Sequence, residues 1–248
     1  MIEKYINKIC YGDNINLLEK FSNNSIDLII TSPPYKDKDG YNPYTMGLTA
    51  IKTFDKLKDN AFLFLNFGHL KEDKYRPFRV CNYFITSGFK LADTITWVKN
   101  HYTPLNGKKN LNNLTEFIFM LYKGEMPDMD RLSIGVEYKD KSNVGRYSDR
   151  DLKCGGNVWH IDIPTITKKS QRLHKDEYPV KLPENCIKLS GLKQGVVLDV
   201  FGGSGTTAFA AQKLGLNWIT VDKNYTHCQT AQDRFFKEFN QEIEIVRL

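Results

Sequence analysis

A proline-containing segment, TSPPY at 31–35, places two hydrogen-bond acceptors and an aromatic ring directly after the apolar run 26–30. Consecutive prolines fix two φ angles and lack N–H donors, so the carbonyl of Pro33 is kept out of a regular strand ladder. This carbonyl and the Ser32 hydroxyl can each accept one hydrogen of an exocyclic amino group, and the ring of Tyr35 can stack on an extruded base. The segment predicts chemistry at an amino nitrogen, although a plain X-Pro-Pro turn after a strand has the same sequence. The predicted catalytic residues are Ser32, Pro33, Pro34 and Tyr35.

A glycine-rich segment, DVFGGSGTT at 199–207, separates a predicted strand from a predicted helix. Its glycines permit positive φ and let a ligand approach the backbone closely. The helix N-terminus behind them offers free N–H groups to an anion. Residues 203–208 also fit the GxGxxA dinucleotide pattern, which a tight turn or a nicotinamide enzyme shares. Alone, the segment does not identify its ligand.

Two acids narrow the choice of ligand. Asp222 ends the next predicted strand, where a carboxylate usually holds a ribose hydroxyl. Asp199 ends the strand before the glycines, and we expect it to point into the same crevice. A carboxylate there would repel a pyrophosphate and attract an ammonium group. Because S-adenosylmethionine carries an ammonium, a sulfonium, a carboxylate and a ribose, it is the predicted cofactor.

In this order the two segments resemble those of amino-directed DNA methyltransferases of the permuted, or β, motif order. In that family an SPPY or DPPY segment comes early, an FxGxGTT-like segment comes late, and a target-recognition region lies between them. Gly12-Asp13 resembles the acidic position that reaches the cofactor's adenine. Further similarity covers NFGH at 66–69, WVK at 97–99, EFI at 116–118 and HKDEYPVKLP at 174–183.

The resemblance implies a Rossmann-like fold and an enzyme that acts on double-stranded DNA as a monomer or homodimer, in a restriction-modification system with a possible cognate endonuclease. The family pattern DPFAGSGTT reads DVFGGSGTT here, and HPAPFP reads HKDEYP, which leaves the role of His174 open. The cofactor-binding residues implied are Asp13, Thr31, Asp199, Phe201, Gly202, Gly203, Ser204, Gly205, Thr206, Thr207, Asp222 and Lys223.

The target base is expected to be cytosine, methylated at N4 by direct in-line transfer. Ser32 resembles the cytosine-N4 enzymes, whereas Asp at this position is commoner in adenine-N6 enzymes. Tyr178 stands where the adenine form of the late segment has Lys. Adenine N6 remains the alternative, and the absence of a Pro-Cys dipeptide argues against cytosine C5 chemistry. A nicotinamide oxidoreductase would leave TSPPY and Asp199 unexplained, and a catalytically silent nucleic-acid-binding module is the other rival.

The elements that must position these residues alternate between strand and helix at both ends of the chain. This predicts a doubly wound, mostly parallel α/β sheet. Residues 1–123 form the predicted catalytic half, 124–171 a target-recognition insertion and 172–248 the cofactor-binding half. The seven predicted strands are 5–11, 26–30, 61–67, 89–98, 115–122, 195–200 and 218–221. The six predicted helices are 14–21, 48–57, 75–86, 183–190, 208–214 and 225–239, with a loop at 36–45.

The composition fits a DNA-acting enzyme without requiring one. The 248 residues carry a net charge of +6, which permits a polyanionic partner. Five dispersed cysteines without a CxxC pair predict reduced thiols in a cytoplasm and no metal site. No apolar stretch is long enough for a membrane span.

Other polar and aromatic residues support two interpretations each. A basic loop is predicted either to contact phosphates or to be a solvated hairpin tip; it contains Lys99, His101, Lys108 and Lys109. Basic residues of the insertion could read bases, although none is singled out: Arg146, Arg150, Lys168, Lys169 and Arg172. Trp159 and His160 are expected to pack the insertion against the sheet, and His69 and His227 to be structural or on the surface.

Overall fold

The computed structural model describes residues 2–35, 42–101, 109, 111–146, 151–163 and 178–248, which form one sheet with helices on both faces. The strands in this part are β1 (Lys8–Tyr11), β2 (Leu28–Thr31), β3 (Ala61–Gly68), β4 (Lys90–Val98), β5 (Thr115–Lys123), β6 (Val158–His160), β7 (Val196–Asp199), β8 (Asn217–Asp222) and β9 (Ile245–Arg247). The helices are α1 (Asn14–Leu18), α2 (Pro43–Lys56), α3 (Arg76–Thr86), α4 (Lys181–Leu189), α5 (Thr206–Lys213) and α6 (Tyr225–Phe239).

The strand order is β6-β4-β5-β3-β2-β7-β8-β1-β9, and the sheet is mostly parallel. Only β5 among these strands runs antiparallel to its neighbours, β3 and β4. All eight residues of β3 are buried, as expected for a central strand covered on both faces. β4 and β5 are consecutive in the chain and pair antiparallel, so they form a hairpin.

Two apolar clusters lie on opposite faces of the sheet. Helices α1, α2 and α3 pack on one face, where Leu17 and Phe84 are fully buried. Helices α4, α5 and α6 cover the other face through residues such as Ala210 and Phe235. Successive residues of β3 join opposite clusters because side chains alternate across a strand.

The chain reverses its direction of winding between β2 and β7. From β7 it passes through α5 to β8 on one side, and from β2 it passes through α2 to β3 on the other. Ligands of open α/β sheets bind at the carboxyl ends of the strands at such a switch point. The TSPPY segment follows β2 and the glycine-rich segment follows β7, so both lie at this position.

The sheet has nine described strands, where the sequence predicted seven. The two additional strands, β6 and β9, have three residues each and lie at opposite edges of the sheet, so they are too short to show a periodic pattern. β6 belongs to the predicted insertion 124–171 and pairs with β4, which joins that region to the main sheet.

The described helices also begin earlier than predicted in three places. α2 begins at Pro43, inside the predicted loop 36–45, because Asn42 and Thr45 form a capping box. Positions 36–41 of that loop lie outside the described residues. α4 begins at Lys181 rather than 183 and α5 at Thr206 rather than 208, whereas α6 has the predicted bounds. No helix in the described part of the chain is long and apolar enough to cross a lipid bilayer.

Candidate active site

A hydrogen bond joins the two sequence motifs directly. The hydroxyl of Thr31, at the end of β2, donates to Oδ1 of Asp199, at the end of β7, over 2.7 Å. These residues are 168 positions apart in sequence, and the parallel pairing of β2 with β7 brings them together. The predicted catalytic segment and the predicted cofactor turn therefore form one site.

Asp199 lies beneath this site rather than open to it. Its carboxylate is 2% exposed and also accepts from the Thr207 hydroxyl at 2.7 Å, the Phe201 N–H at 3.0 Å and the Tyr178 hydroxyl at 3.3 Å. Burial raises the pKa of Asp199 despite these four donors. The expectation that Asp199 points into the crevice is wrong in this structure, because its oxygens are already occupied by groups that hold β2, β7 and α5 together.

The glycine-rich turn is packed on one side and open on the other. A Cβ at Gly202 would lie 1.9 Å from Oγ1 of Thr220 in β8, so only glycine fits there. At Gly203, whose φ is +52°, a Cβ would meet no atom within 4 Å, so this peptide borders open space. Gly205, with φ of +75°, provides the left-handed residue from which α5 starts.

The N-terminus of α5 has no side-chain cap. An uncapped helix N-terminus can bind an anion such as a ligand carboxylate. The hydroxyl groups near it are directed into the protein: Thr206 accepts from Arg234 at 2.9 Å, and Thr207 contacts the Tyr178 hydroxyl at 2.5 Å. Ser204 is buried as well. The backbone of this turn, rather than its hydroxyls, is the surface that a cofactor can meet.

Two predicted cofactor acids lie at neighbouring strand ends. Asp222 accepts the Gly203 N–H at 2.9 Å and the Asn224 N–H at 2.8 Å, and it remains partly exposed. A carboxylate has about four lone-pair sites, so Asp222 can still accept from a ribose hydroxyl. Asp13 follows the adjacent strand β1 and caps α1 by accepting the Ile15 N–H at 2.9 Å. The half-buried Lys223 directly follows Asp222.

These features fit S-adenosylmethionine. The open space beside Gly203 and the uncapped amides of α5 suit its amino-acid end. Asp222 and Asp13 suit its ribose and adenine, respectively, since they follow adjacent parallel strands. Asp199 would act on such a ligand by shaping the turn, because its own oxygens are covered.

Within the SPPY segment, the side chains of Ser32 and Tyr35 differ in their contacts with the rest of the protein. Ser32 is half-buried, and its hydroxyl makes no hydrogen bond to another described residue. The ring of Tyr35 packs on Phe67 with centroids 4.6 Å apart, and its hydroxyl donates to Oε2 of Glu116 at 2.6 Å. Tyr35 is thus an aromatic residue held at both its face and its hydroxyl, beside a half-buried Ser32. Pro33 is buried and Pro34 half-buried.

Sequence reasoning did not assign a role to Asn66 or Glu116, which lie behind Tyr35, or a role at this site to Lys99. The amide of Asn66 donates to both the Tyr35 hydroxyl, at 2.9 Å, and Glu116, at 2.8 Å. Lys99 Nζ lies 2.5 Å from Oε1 of Glu116. These residues fall in three short segments, 66–69, 97–99 and 116–118, and the resemblance of these segments to the family is the only sequence evidence that places them at this site.

The structure contradicts two predictions for residues of the loop and the insertion, those for Lys99 and His160. Lys99 is neither a phosphate contact nor a solvated tip, because its side chain is largely buried against Glu116 and the Trp97 ring. Trp159 packs into the core as predicted, but His160 is exposed. His101, Lys109 and Arg146 are exposed. Six further residues lie outside the described part of the chain, so their roles stay predictions: Lys108, Arg150, Lys168, Lys169, Arg172 and His174.

The two remaining histidines are structural, as predicted. The ring of His69 contacts Phe117 edge-on, with centroids 4.8 Å apart, and burial lowers its pKa. His227 is partly buried at the start of α6, with Nδ1 3.3 Å from Asp222.

Comparisons with known proteins show which family this chain is similar to. A family model described as DNA methylase, for N6 and N4 methyltransferases, matches residues 26–233. The type II methyltransferase M1.MboII of Moraxella bovis is 28% identical over 91% of this chain and 95% of its own length. The orphan methyltransferase M.BamHII of Bacillus amyloliquefaciens is 29% identical over 87% of this chain and 91% of its own length.

Solved structures show the same fold. The PvuII DNA methyltransferase, described as cytosine-N4-specific, has a TM-score of 0.73 at 23% identity, covering 94% of this chain and 88% of its own. The M1.HpyAVI–SAM complex has a TM-score of 0.66 at 23% identity, covering 92% of this chain and 98% of its own. Because the family match spans most of the chain, this protein belongs to the S-adenosylmethionine-dependent N6/N4 family of DNA methyltransferases.

Proposed function

We propose that this enzyme methylates the exocyclic N4 of cytosine at specific sites in double-stranded DNA. Ser32 and the Pro33 carbonyl orient the amino nitrogen, Pro34 fixes the backbone, and Tyr35 stacks on the extruded base. S-adenosylmethionine supplies the methyl group when bound. The contribution of the chain is to align the nitrogen for in-line transfer and to exclude water, so that positioning provides most of the rate enhancement.

The hydrogen bond between Thr31 and Asp199 is the observation that carries this proposal. It connects the residue immediately before Ser32 to the carboxylate immediately before the glycine-rich turn. The base-side and cofactor-side groups are therefore held at a set separation, as an in-line transfer requires. A nicotinamide oxidoreductase would not require a half-buried serine hydroxyl and two prolines next to its cofactor-binding turn.

Three features support cytosine as the target. Ser32 occupies the position where adenine enzymes more often have Asp, and Tyr178 occupies the position of their Lys. A hydroxyl can donate or accept, whereas a carboxylate would face the N3 and O2 lone pairs of a shifted cytosine. The structural neighbour from the PvuII system is also described as cytosine-N4-specific.

The DNA is proposed to meet the carboxyl edge of the sheet, with the region 124–171 reading the sequence. The relatives named type II methyltransferases support a restriction-modification role, with a cognate endonuclease acting on the same site. The net charge of +6 favours a polyanionic partner. Binding is expected to weaken steeply as salt increases, because phosphate contacts release counterions.

Mass spectrometry of nucleosides tests the choice of base. Unmethylated genomic DNA is incubated with the enzyme and S-adenosylmethionine, hydrolysed and analysed. N4-methylcytosine is the expected product. N6-methyladenine without N4-methylcytosine would refute the cytosine assignment while leaving the family and cofactor in place.

Replacing Ser32 tests the base-side role. We expect Ser32→Ala to lose turnover by roughly 100-fold while cofactor affinity persists, since this group acts on the nitrogen in the transition state. Ser25→Ala, just before the same strand, is the matched control, because the Ser25 hydroxyl donates only to the Ser22 carbonyl. A normal methylation rate in Ser32→Ala would contradict the role of this hydroxyl.

A further inference from the structure

A buried polar network lies behind Tyr35, on the side of the proposed base site. Tyr35 donates to Glu116, Asn66 donates to both Tyr35 and Glu116, and Lys99 pairs with the second oxygen of Glu116. The Lys99 ammonium also lies 5.1 Å from the centre of the Trp97 ring. The network connects β3, β5 and the residue after β4 to the segment after β2.

Gly68 creates the opening through which Tyr35 reaches this network. A Cβ at Gly68 would lie 2.6 Å from Cε2 of Tyr35 and 3.1 Å from the Glu116 carboxyl carbon. Gly68 and Glu116 are direct partners in the antiparallel pairing of β3 with β5. The absence of a side chain at this position therefore lets the tyrosine ring approach the sheet and its hydroxyl bond to the carboxylate.

The network has features that stability alone does not explain. The Oδ1 atom of Asn66 is buried and makes no hydrogen bond to a described residue, which costs about 1–3 kcal/mol. Both charges of the Lys99–Glu116 pair are largely buried, and such pairs are often no more stable than apolar residues of similar size. An arrangement of this kind is typical of a site that requires a particular geometry.

We propose that Glu116, Asn66 and Lys99 are positioning residues for methyl transfer, and that they act through the Tyr35 hydroxyl. Glu116 and Asn66 fix the hydroxyl, and Lys99 fixes Glu116. The ring of Tyr35 is then held against Phe67 at the angle needed to receive the extruded base. This inference rests on the proposed placement of Tyr35 beside the base, and it applies whether the base is cytosine or adenine.

A double-mutant cycle tests the inference. The turnover number and the KM for DNA are measured at saturating S-adenosylmethionine for Tyr35→Phe, Glu116→Gln and the double variant. We expect each single variant to lower kcat by about tenfold or more, and the double variant to match Tyr35→Phe within about twofold, because Tyr35→Phe removes the same hydrogen bond that Glu116→Gln weakens. Cofactor affinity is expected to stay constant in all three. Losses that multiply in the double variant would overturn the inference, since Glu116 would then act independently of the hydroxyl.

Two further variants guard against unfolding and nonspecific effects. Glu116→Gln leaves Lys99 without its partner, so the cycle is repeated in a Lys99→Met background, in which Glu116→Gln leaves neither charge of the pair. Glu184→Gln is the matched control, because Glu184 also forms a partly buried ion pair, with Lys213 at 2.7 Å, outside the network. We expect it to keep full turnover. The methylated nucleoside reports separately on the proposed function, so an adenine product together with a coupled cycle would refute the base assignment and support the network.

Discussion

At the residue scale, Asp222 is the acid that we propose binds the cofactor directly, because its carboxylate is partly exposed. Asp222→Ala removes a partly exposed acceptor and also releases the N–H of Gly203. We expect S-adenosylmethionine binding to weaken by about 1–3 kcal/mol, the usual cost of leaving a polar partner unpaired. Isothermal titration calorimetry measures this directly. Asp233→Ala, at an exposed position of α6, is the control. Equal affinity of the two variants for S-adenosylmethionine would show that Asp222 does not bind the cofactor.

Asp199 differs from Asp222, because its carboxylate is buried and covered by hydrogen-bond donors. Its type and position suggested an ammonium partner, but four donors from β2, the glycine-rich turn, α5 and Tyr178 surround it. Loss of Asp199 is therefore expected to act on the geometry of the turn rather than on one contact with the ligand.

At the scale of elements, the close approach of the glycine-rich turn to β8 depends on Gly202. Gly202→Ala would place a Cβ 1.9 Å from the Thr220 hydroxyl, so the turn or the strand must shift. We expect a loss of stability of about 1–3 kcal/mol, as for other overpacked sites, and weaker cofactor binding. Thermal melts and calorimetry measure the two effects.

A second substitution can relieve this clash. The Thr220 hydroxyl is buried and makes no hydrogen bond within the described part of the chain, so Thr220→Ala removes the clashing atom at little cost. Gly202→Ala with Thr220→Ala should therefore recover much of the lost stability. Gly47→Ala in α2 is the control, because a Cβ there meets no atom within 4 Å. The steric explanation fails if Thr220→Ala gives no recovery.

At the scale of the whole molecule, the buried thiols make folding sensitive to alkaline pH. Burial raises the pKa of Cys10, Cys81 and Cys228 from 9.0 to about 12, and it raises the pKa of Cys186 as well. A raised pKa in the folded state gives a contribution to stability that is complete below pH 9. This contribution is lost as the pH rises towards 12, because only the unfolded chain releases the protons.

Urea unfolding between pH 8 and pH 11 measures this effect. For each thiol that stays protonated in the folded state, the free energy of unfolding decreases by up to about 1.4 kcal/mol per unit of rising pH in this range. Cys81→Ala should give a shallower decline than the wild type, whereas Cys154→Ala, at an exposed position, should not change the slope. Parallel slopes for Cys81→Ala and the wild type would contradict a protonated thiol at position 81.

The sequence alone determined the two motifs, their order, the cofactor class and the central strands. Local patterns carry these features: an apolar run that ends at SPPY, glycines between a strand and a helix, and an acid one strand later. The strands β2, β3, β7 and β8 could be predicted because buried parallel strands are continuous apolar runs. The edge strands β6 and β9 could not, since three residues show no period.

Only the tertiary structure decided which polar groups face the site and which support it. Asp199 and Asp222 have the same chemistry in the sequence, but one is covered by Thr31, Thr207 and Tyr178, and the other stays partly exposed. The network around Tyr35 draws on β3, β5 and the end of β4, which strand pairing brings together. Contacts between distant segments depend on sheet order and register, and neither property is encoded in the spacing of residues along one segment.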